Sequence, residues 1–345
     1  MRNAEAKQII ENRSEQNLYQ ETKLLSPKDA AYMVQEILHE VRKVVVGKDI
    51  VILKVLLAIL AKGHVLLEDM PGVGKTTLAL AFAKILDLDY HRLQLTPDVL
   101  PTDITGFSVY RKDSGSFEFK KGIAFCNLLL ADEINRTSSK TQAALLEVME
   151  ESSVTVDGTT YPMPTPYCVL ATQNPIGCVG TQMLPESQLD RFMLQLHIGY
   201  PDLESEIQIM QARSNTNPLD DVRQVATIDD LLALQSVVEN VHVAESVYRY
   251  IATLAESTRH HEMLRLGISP RGSLALIAAA KAVAVVRGRD YVIPDDISVV
   301  VHEVFAHRLV LSSRARMAGL SADDILDEIL EAVSIPPLEK DKKSC

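Results

Sequence analysis

The stretch LLEDMPGVGKTT, residues 66–77, decides which fold the sequence predicts. Its GKT triplet at 74–76 matches the end of the phosphate-binding pattern G-x-x-x-x-G-K-[ST]. The first glycine of that pattern would stand at position 69, where this chain has Asp69. A triplet this short also occurs by chance, so the residues around it must decide whether the loop binds a phosphate.

The residues on both sides of the loop predict a strand, a turn and a helix, in that order. HVLLED at 64–69 is an apolar run typical of a buried strand, and PGVG at 71–74 is typical of a turn. Apolar residues then recur with helical spacing across 76–86. Backbone N–H groups at a helix start and the helix dipole favour a bound phosphate, and Gly72 and Gly74 let the backbone approach it. This context predicts a working nucleotide site.

A second signal is LLLADE at 128–133, an apolar strand that ends in two acids. If this strand neighbours the strand before the loop, both acids lie beside the bound phosphates. We then expect Lys75 to contact the β- and γ-phosphates, and Thr76 and Asp132 to hold Mg²⁺. Glu133 is predicted to polarise the attacking water as a general base. Alone, a strand that ends in Asp-Glu is more often the start of a solvated loop.

The composition narrows the class of protein. The chain has 345 residues, of which 47% are hydrophobic and 23% charged, which is ordinary for a globular protein of about two domains. A net charge of −11 argues against a nucleic-acid partner, because such proteins usually carry a basic face. We find no signal peptide at the start and no apolar run of the ~18 residues that a membrane span needs. Four cysteines without C-x-x-C spacing predict a reduced, cytoplasmic protein: Cys126, Cys168, Cys178 and Cys345.

Short apolar runs alternate with helical patterns up to about residue 200. This alternation predicts an α/β core with a parallel sheet of five strands. The candidate strands are HVLLED, HRLQL, NLLLADE, YCVLATQN and FMLQLHIG. Two hairpins interrupt the alternation, one at 108–122 and one at 154–163, where Asp157-Gly158 is a strong turn signal.

The sequence as a whole predicts four segments. Beyond about residue 203 no strand pattern is evident, and helix-capping boxes begin at Thr227 and Ser321. The segments are a flexible tail at 1–25, the core with its two hairpin insertions at 26–202, a smaller all-helical domain at 203–335 and a disordered tail at 336–345.

Five motifs follow one another in the order found in the AAA+ ATPases. They are the phosphate loop, LLLADEINR at 128–136, ATQNP at 171–175, LPESQLDRF at 184–192 and SPRG at 269–272. Together with the two hairpins, their wording resembles the MoxR branch of that family, from about residue 30 to about residue 335. The resemblance implies an AAA+ P-loop NTPase core followed by a helical lid domain, with ATP and Mg²⁺ as cofactors.

The same resemblance implies roles for residues at matching positions. Asn174 resembles the sensor that orients the attacking water, although an Asn before Pro is also a common turn residue. Arg191 resembles the arginine finger that reaches the nucleotide of a neighbouring subunit, and a surface ion pair with Asp190 or Glu186 is the alternative. Arg271 resembles the second sensor, which contacts nucleotide within its own subunit; its alternative is an ordinary arginine at a helix start.

A further set of positions matches the nucleotide-binding backbone of the family. These positions are Val46, Gly47, Pro71, Gly72, Val73, Gly74, Lys75, Thr76 and Thr77. For Val46 and Gly47 an ordinary turn is nearly as good an interpretation. Asp69 departs from the family's glycine, and we expect its charge to weaken nucleotide binding without abolishing it. A site that binds nucleotide without hydrolysing it is the alternative, which the intact Glu133 and Arg191 disfavour.

A finger that acts on a neighbour implies a ring, and analogy with the family implies a hexamer. The resemblance further implies a chaperone-like ATPase that remodels or matures protein clients, including partners with a von Willebrand factor A domain. The two hairpins are candidate contacts either with a client or with a ring neighbour. Two other functions stay open: a nucleic-acid motor, because similar hairpins serve helicases, and an ATP-gated scaffold with little turnover.

Overall fold

The computed structural model describes residues 25–68, 72–174, 183–213 and 217–337 of the chain. The strands are β1 (Val65–Glu68), β2 (Tyr90–Gln94), β3 (Gly106–Arg111), β4 (Ser116–Lys121), β5 (Leu128–Asp132), β6 (Ser153–Val156), β7 (Thr159–Pro162), β8 (Cys168–Gln173), β9 (Leu194–Leu196), β10 (Leu264–Leu266) and β11 (Val310–Leu311). The α-helices are α1 (Pro27–Arg42), α2 (Asp49–Leu60), α3 (Lys75–Ile85), α4 (Pro101–Thr105), α5 (Ser139–Glu151), α6 (Glu186–Leu189), α7 (Leu203–Arg213), α8 (Ile228–Glu239), α9 (Glu245–His260), α10 (Pro270–Val286), α11 (Pro294–Ser298), α12 (Val301–Phe305), α13 (Ser313–Met317) and α14 (Ala322–Ala332).

Five strands form one parallel sheet in the order β2-β5-β8-β1-β9. They are the five strands that the apolar runs predicted, so the α/β core is confirmed. β1 lies in the sheet with Val65 opposite Leu170 of β8 on one side and Leu194 of β9 on the other. β8 therefore separates β1 from β5, the strand that carries the two acids. The carboxyl ends of all five strands meet at one edge, where open α/β sheets bind their ligands.

The sheet separates two apolar clusters, because successive residues of a strand point to opposite faces. On β1, Val65 and Leu67 belong to the larger cluster and Leu66 to the smaller one. On β5, Leu128 belongs to the larger cluster and Leu129 to the smaller one. Both faces of the sheet are covered, which explains why strands such as β1, β5 and β8 read as nearly continuous apolar runs.

The larger cluster continues from the sheet into helices near both ends of the described chain. Helices α1 and α2 pack against α8 and α10. Val34 and Ile37 of α1 are fully buried, as are Leu276 and Ala280 of α10. The predicted boundary between residues 202 and 203 does not coincide with a break in this core, and the division into domains stays a prediction.

Both predicted hairpins are present, one formed by β3 and β4 and the other by β6 and β7. Asp157 and Gly158 form the turn of the second hairpin with φ angles of 50° and 78°, as a two-residue turn of this type requires. The hairpins contact each other through Phe119 and Tyr161, whose rings stack with 4.0 Å between their centroids.

The C-terminal region is helical, as predicted, but not entirely so. β10 and β11 form a short antiparallel pair. Strands of three and two residues are too short to produce an alternating pattern, so the sequence did not indicate them. Helices α8 and α14 begin at the predicted boxes, where Thr227 and Ser321 each accept a hydrogen bond from a backbone N–H three residues later. Within the described ranges, no helix combines the length and apolar character needed to cross a membrane.

Candidate active site

The predicted phosphate loop connects β1 to α3. Asp69 and Pro71 lie outside the described residues, so the described part of the loop begins at Gly72. Gly72 and Gly74 have φ angles of 89° and 95°, which residues with a side chain rarely adopt. No described atom lies within 4 Å of the place where a Cβ would stand at either glycine. The backbone conformation, and not crowding, therefore requires glycine at both positions.

A cavity of about 320 Å³, which we call the polar cavity, lies where α3 begins at the carboxyl edge of the sheet. Its lining comes from the loop, from the first turn of α3, and from the ends of β2, β5 and β8. The lining residues are Gly72, Gly74, Lys75, Thr76, Arg92, Gln94, Asp132, Glu133, Thr172 and Asn174. The structure thus brings the lysine, the threonine, both acids and the asparagine that the sequence singled out to one place.

Thr172 of β8 connects the two acids through its hydroxyl group. The backbone N–H of Glu133 donates to Thr172 Oγ1 at 2.9 Å. The same hydroxyl donates to Asp132 Oδ1 at 3.3 Å. Glu133 has a φ of 58°, in the left-handed region that is costly for a residue with a side chain. The buried Thr172 therefore helps to hold Glu133 in this conformation.

Donors from β2 and from the turn after β5 bind the carboxylates of the acids. Arg92 Nε donates to Asp132 Oδ2 at 2.7 Å. Glu133 Oε2 accepts from Gln94 Nε2 and from Arg136 Nη1, each at 2.7 Å. The sequence analysis did not identify Arg92 and Gln94 as site residues. Alternate residues of the strand HRLQL share one face, and this spacing could have indicated that the two side chains lie together.

The donor atoms of the polar cavity suit a hard divalent cation. Mg²⁺ prefers oxygen ligands and is commonly bound by one or two carboxylates together with substrate phosphates. The Thr76 hydroxyl and the Asp132 carboxylate are such donors, and both residues line the cavity. In the described part of the chain, no group of three or more His, Cys, Asp or Glu side chains could hold a metal ion by itself. Nucleotide oxygens would therefore have to complete the ligand shell.

A second cavity of about 350 Å³, which we call the apolar cavity, shares Gly72 and Gly74 with the polar one. Its lining is mainly apolar and includes three further predicted contacts besides these glycines, Val46, Val73 and Thr77. The other lining residues are Lys43, Val44, Val45, Lys48, Tyr200, Pro201, Glu206, Ile209, Met210, Ala212 and Pro218. An apolar cavity joined to a polar one suits a ligand with a flat base and a phosphate chain.

Gly47 is the one described residue among the predicted nucleotide contacts that lines neither cavity. It packs instead against α7, where an added Cβ would lie 2.1 Å from Ser205 Oγ. Its φ of 73° also favours glycine. Tyr200, Met210 and Pro218 were missed as lining residues, because no local pattern connects these distant segments with the loop.

Arg191 and Arg271 line neither cavity and bind Glu150, near the end of α5. Arg191 Nη1 lies 3.2 Å from Glu150 Oε2. Arg271 Nη2 donates to Glu150 Oε1. In this subunit α10 presents the Arg271 side chain to α5 and to neither cavity, and its contact with nucleotide stays a prediction.

The ion-pair partners considered for Arg191 bind other arginines. Asp190 accepts from Arg308 Nε at 2.7 Å, and Glu186 accepts from Arg265 Nη2 at 2.9 Å. The two side chains that bind Glu150 are 30% and 42% exposed. The candidate arginines thus lie together, partly exposed, and outside both the polar and the apolar cavity of their own chain.

His64, which precedes β1, supports the end of α5. Its Nδ1 accepts from the Val169 backbone N–H at 3.0 Å, and its Nε2 donates to the Met149 carbonyl at 2.9 Å. Burial lowers the pKa of His64 to about 4, so the ring is neutral at neutral pH and can keep both bonds. Met149 directly precedes Glu150, so this buried hydrogen bond supports the backbone beside the residue that binds the two arginines.

Comparisons with known proteins agree with this arrangement. The family described as "ATPase family associated with various cellular activities (AAA)" matches residues 64–194, and "AAA lid domain" matches 256–329. YeaC of Bacillus subtilis (strain 168) is 48% identical over 297 residues, which cover 86% of this chain and 92% of that protein. Chaperone MoxR1 of Mycobacterium tuberculosis is 41% identical over 314 residues, which cover 88% of this chain and 83% of that protein.

A crystal structure of a candidate ATPase from Cytophaga hutchinsonii has the same fold. It superposes with a TM-score of 0.84 at 39% sequence identity and covers 95% of this chain and 99% of that one. The matches include both the segment with the polar cavity and the C-terminal helices. The chain therefore belongs to the MoxR family of AAA+ ATPases.

Proposed function

We propose that this chain is the ATP-hydrolysing subunit of a hexameric ring that remodels or matures protein clients in the cytoplasm. The observation that carries the proposal is the polar cavity, where Lys75, Thr76, Asp132 and Glu133 surround one space. The adjoining apolar cavity offers room for the base. The name of the Mycobacterium tuberculosis relative, a chaperone, supports the part that concerns clients.

The residues of the polar cavity suit the steps of phosphoryl transfer to water. Lys75 neutralises charge on the β- and γ-phosphates, and Asn174 orients the attacking water. The carboxylate of Glu133 accepts the proton of that water as a general base. Mg²⁺, held by Thr76 and Asp132, would supply charge neutralisation at the phosphate oxygens.

We further propose that Arg191 and Arg271 act on a nucleotide bound by a neighbouring copy. Both lie outside the polar and apolar cavities of their own chain and share one carboxylate, that of Glu150. A γ-phosphate carries more negative charge than this carboxylate and is able to replace it as their partner. Arginine fingers contribute 10³–10⁵ in rate in related enzymes, or about 4–7 kcal/mol of barrier, so an isolated subunit should be nearly inactive.

Phosphate release measured over a range of protein concentrations tests this proposal. The activity per subunit should rise steeply as the ring assembles, which light scattering can follow in the same samples. Glu133→Gln should bind ATP and assemble. It should release phosphate at least about 10²-fold more slowly than the wild type, because its amide cannot take up the proton. Equal, low release by both proteins would favour the ATP-gated scaffold. Full activity of the monomer would refute the contribution of a neighbour.

The β3–β4 hairpin is the proposed client contact. Phe119 anchors it on Tyr161, whereas Phe107, Tyr110 and Phe117 remain exposed, the last of them to 72%. Phe117→Ser should therefore leave ATP hydrolysis and ring size unchanged but weaken binding of a chemically unfolded model protein. A smaller assembly of the variant would show instead that the hairpin contacts a ring neighbour.

The proposed client is a protein and the proposed compartment is the cytoplasm. The family resemblance implies a partner with a von Willebrand factor A domain, which a pull-down with Glu133→Gln and ATP can test. Net charge disfavours nucleic acid, and strong, steeply salt-dependent DNA binding in a filter assay would contradict that. Cys126 and Cys168 are free and buried, which suits a reducing compartment.

A further inference from the structure

Arg308, shortly before β11, forms hydrogen bonds with the chain on both sides of Arg191. Its Nε donates to the Asp190 carboxylate at 2.7 Å, and its Nη2 donates to the Asp190 carbonyl at 3.2 Å. Nη2 also donates to the Phe192 carbonyl at 2.6 Å, and Nη1 to the Met193 carbonyl at 3.3 Å. One guanidinium group therefore binds the residue before Arg191 and the two residues after it.

This guanidinium group lies in an unusual place for a charge, since Arg308 is only 5% exposed. Burial lowers the pKa of Arg308, and the hydrogen bond to Asp190 opposes that shift. The neighbouring His307 contributes no second charge, because burial and the Arg308 guanidinium lower its pKa to about 3. A buried charge is tolerated only when it is paired and hydrogen-bonded, and Arg308 meets this condition through one carboxylate and several carbonyls.

The same arginine also touches the helix that carries Arg271. A Cβ at Gly272 would lie 3.0 Å from Arg308 Cδ and 3.3 Å from its Nε, so α10 packs directly on this side chain. Ser269, which caps α10, donates to the Asp190 carboxylate at 2.9 Å. The start of α10 and the turn with Arg191 are thus joined by a single buried polar junction.

We infer that Arg308 is a positioning residue that sets the turn carrying Arg191 against the start of α10, so that both candidate arginines are aimed together at a neighbouring subunit. This inference rests on the proposed function, because it concerns residues that act outside their own chain. Arg308 itself touches no cavity in which nucleotide would bind. Loss of Arg308 should impair the contribution of Arg191 and Arg271 to hydrolysis in the neighbouring subunit. The polar cavity of the altered subunit itself should stay intact.

The geometry requires an arginine. The planar guanidinium presents five N–H donors in a fixed fork, whereas a lysine ammonium is a single point with three donors. Arg308→Lys keeps the charge opposite Asp190 but cannot reach the carbonyls on both sides of Arg191. We expect kcat to fall about tenfold to a hundredfold, because a misplacement of about 1 Å can cost this much. The KM for ATP should stay unchanged.

Subunit mixing tests the inference. Lys75→Ala should lack a working polar cavity but retain a correctly held Arg191, so it can lend that arginine to its neighbour. An equimolar mixture of Arg308→Lys and Lys75→Ala should therefore recover activity. In a randomly assembled ring, about a quarter of the sites combine the intact polar cavity of an Arg308→Lys subunit with the correctly placed Arg191 of a Lys75→Ala neighbour. A merely structural defect in Arg308→Lys would not be relieved by such a neighbour.

Two parallel mixtures separate the possible failures. Arg191→Ala mixed with Lys75→Ala should recover activity in the same way, and no recovery there would overturn the proposed function. Recovery with Arg191→Ala but not with Arg308→Lys would overturn only the inference about Arg308, as would full activity of Arg308→Lys alone. Asp190→Asn, which weakens the same junction, replaces Arg308→Lys if that variant does not assemble. Arg314→Lys, an exposed ion-paired arginine of α13, is the matched control and should behave as the wild type.

Discussion

Replacing Thr172 with valine tests how the polar cavity holds its two acids. Valine has nearly the shape of threonine but lacks the hydroxyl group, so the change removes hydrogen bonds and little else. The Glu133 N–H loses its acceptor at 2.9 Å, and Asp132 Oδ1 loses a donor at 3.3 Å. Both acids therefore lose a common support inside a buried part of the sheet.

The size of the effect follows from the burial of these groups. A buried donor left without a partner costs about 1–3 kcal/mol, and we take about 2 kcal/mol for the shorter of the two bonds. If this amount is lost from the placement of Glu133 in the transition state, kcat should fall about 30-fold. The KM for ATP should change little, because Lys75 and the apolar cavity are untouched.

Steady-state phosphate release and urea unfolding of Thr172→Val and Thr172→Ser measure this effect. Serine keeps the hydroxyl group but loses a buried methyl group, which should cost about 1 kcal/mol of stability. Both variants should therefore be destabilised, while only Thr172→Val should lose kcat. Equal kcat values for the two variants would refute the role of the hydroxyl group.

Three other changes have defined outcomes. Lowering the pH from 7 to 5 should reduce the free energy of unfolding by about 2 kcal/mol through His64, because its folded pKa of about 4 lies below the ordinary histidine value of 6.5 and the unfolded chain binds the proton first. Urea unfolding at both pH values measures this, and an equal loss in His64→Gln would contradict it. Gly74→Ala should cost about 1–2 kcal/mol and weaken binding of a fluorescent ATP analogue, because its φ of 95° disfavours a side chain; unchanged binding would argue against the loop. Asp69→Gly should tighten ATP binding in the same assay, and an unchanged affinity would show that the carboxylate points away.

Local patterns predicted most of the fold. Four of the five strands of the sheet were found because each is a short, largely apolar run with buried residues. β2 is only partly buried, and its Leu93 alternates with polar residues. The turn of the second hairpin was found because Asp157 and Gly158 tolerate positive φ. The lysine and the two acids of the polar cavity were found because they lie at or just beyond the carboxyl ends of predicted strands: Asp132 ends β5, Glu133 follows it, and Lys75 follows the loop after β1.

Contacts between distant segments could not be predicted from local sequence patterns. Nothing local connects Arg92 with Asp132, 40 positions away, or Arg308 with Asp190, 118 positions away. The partner of Arg191 and Arg271 was missed for the same reason, because Glu150 lies on a helix between the recognised motifs. Such pairs depend on the order of strands and the packing of helices, which a single sequence does not encode locally.

The shared core at the two ends of the chain has a mechanical consequence. Residues 44–46, which join α1 to α2, form part of the wall of the apolar cavity. Both helices pack on α10, so we expect a rotation of α10 against the sheet to move that wall as well. Binding of a purine base in the apolar cavity would then be coupled to the position of the C-terminal helices. The free energy of hydrolysis of one nucleotide would reach the far side of the subunit through this shared core, with no additional structural element.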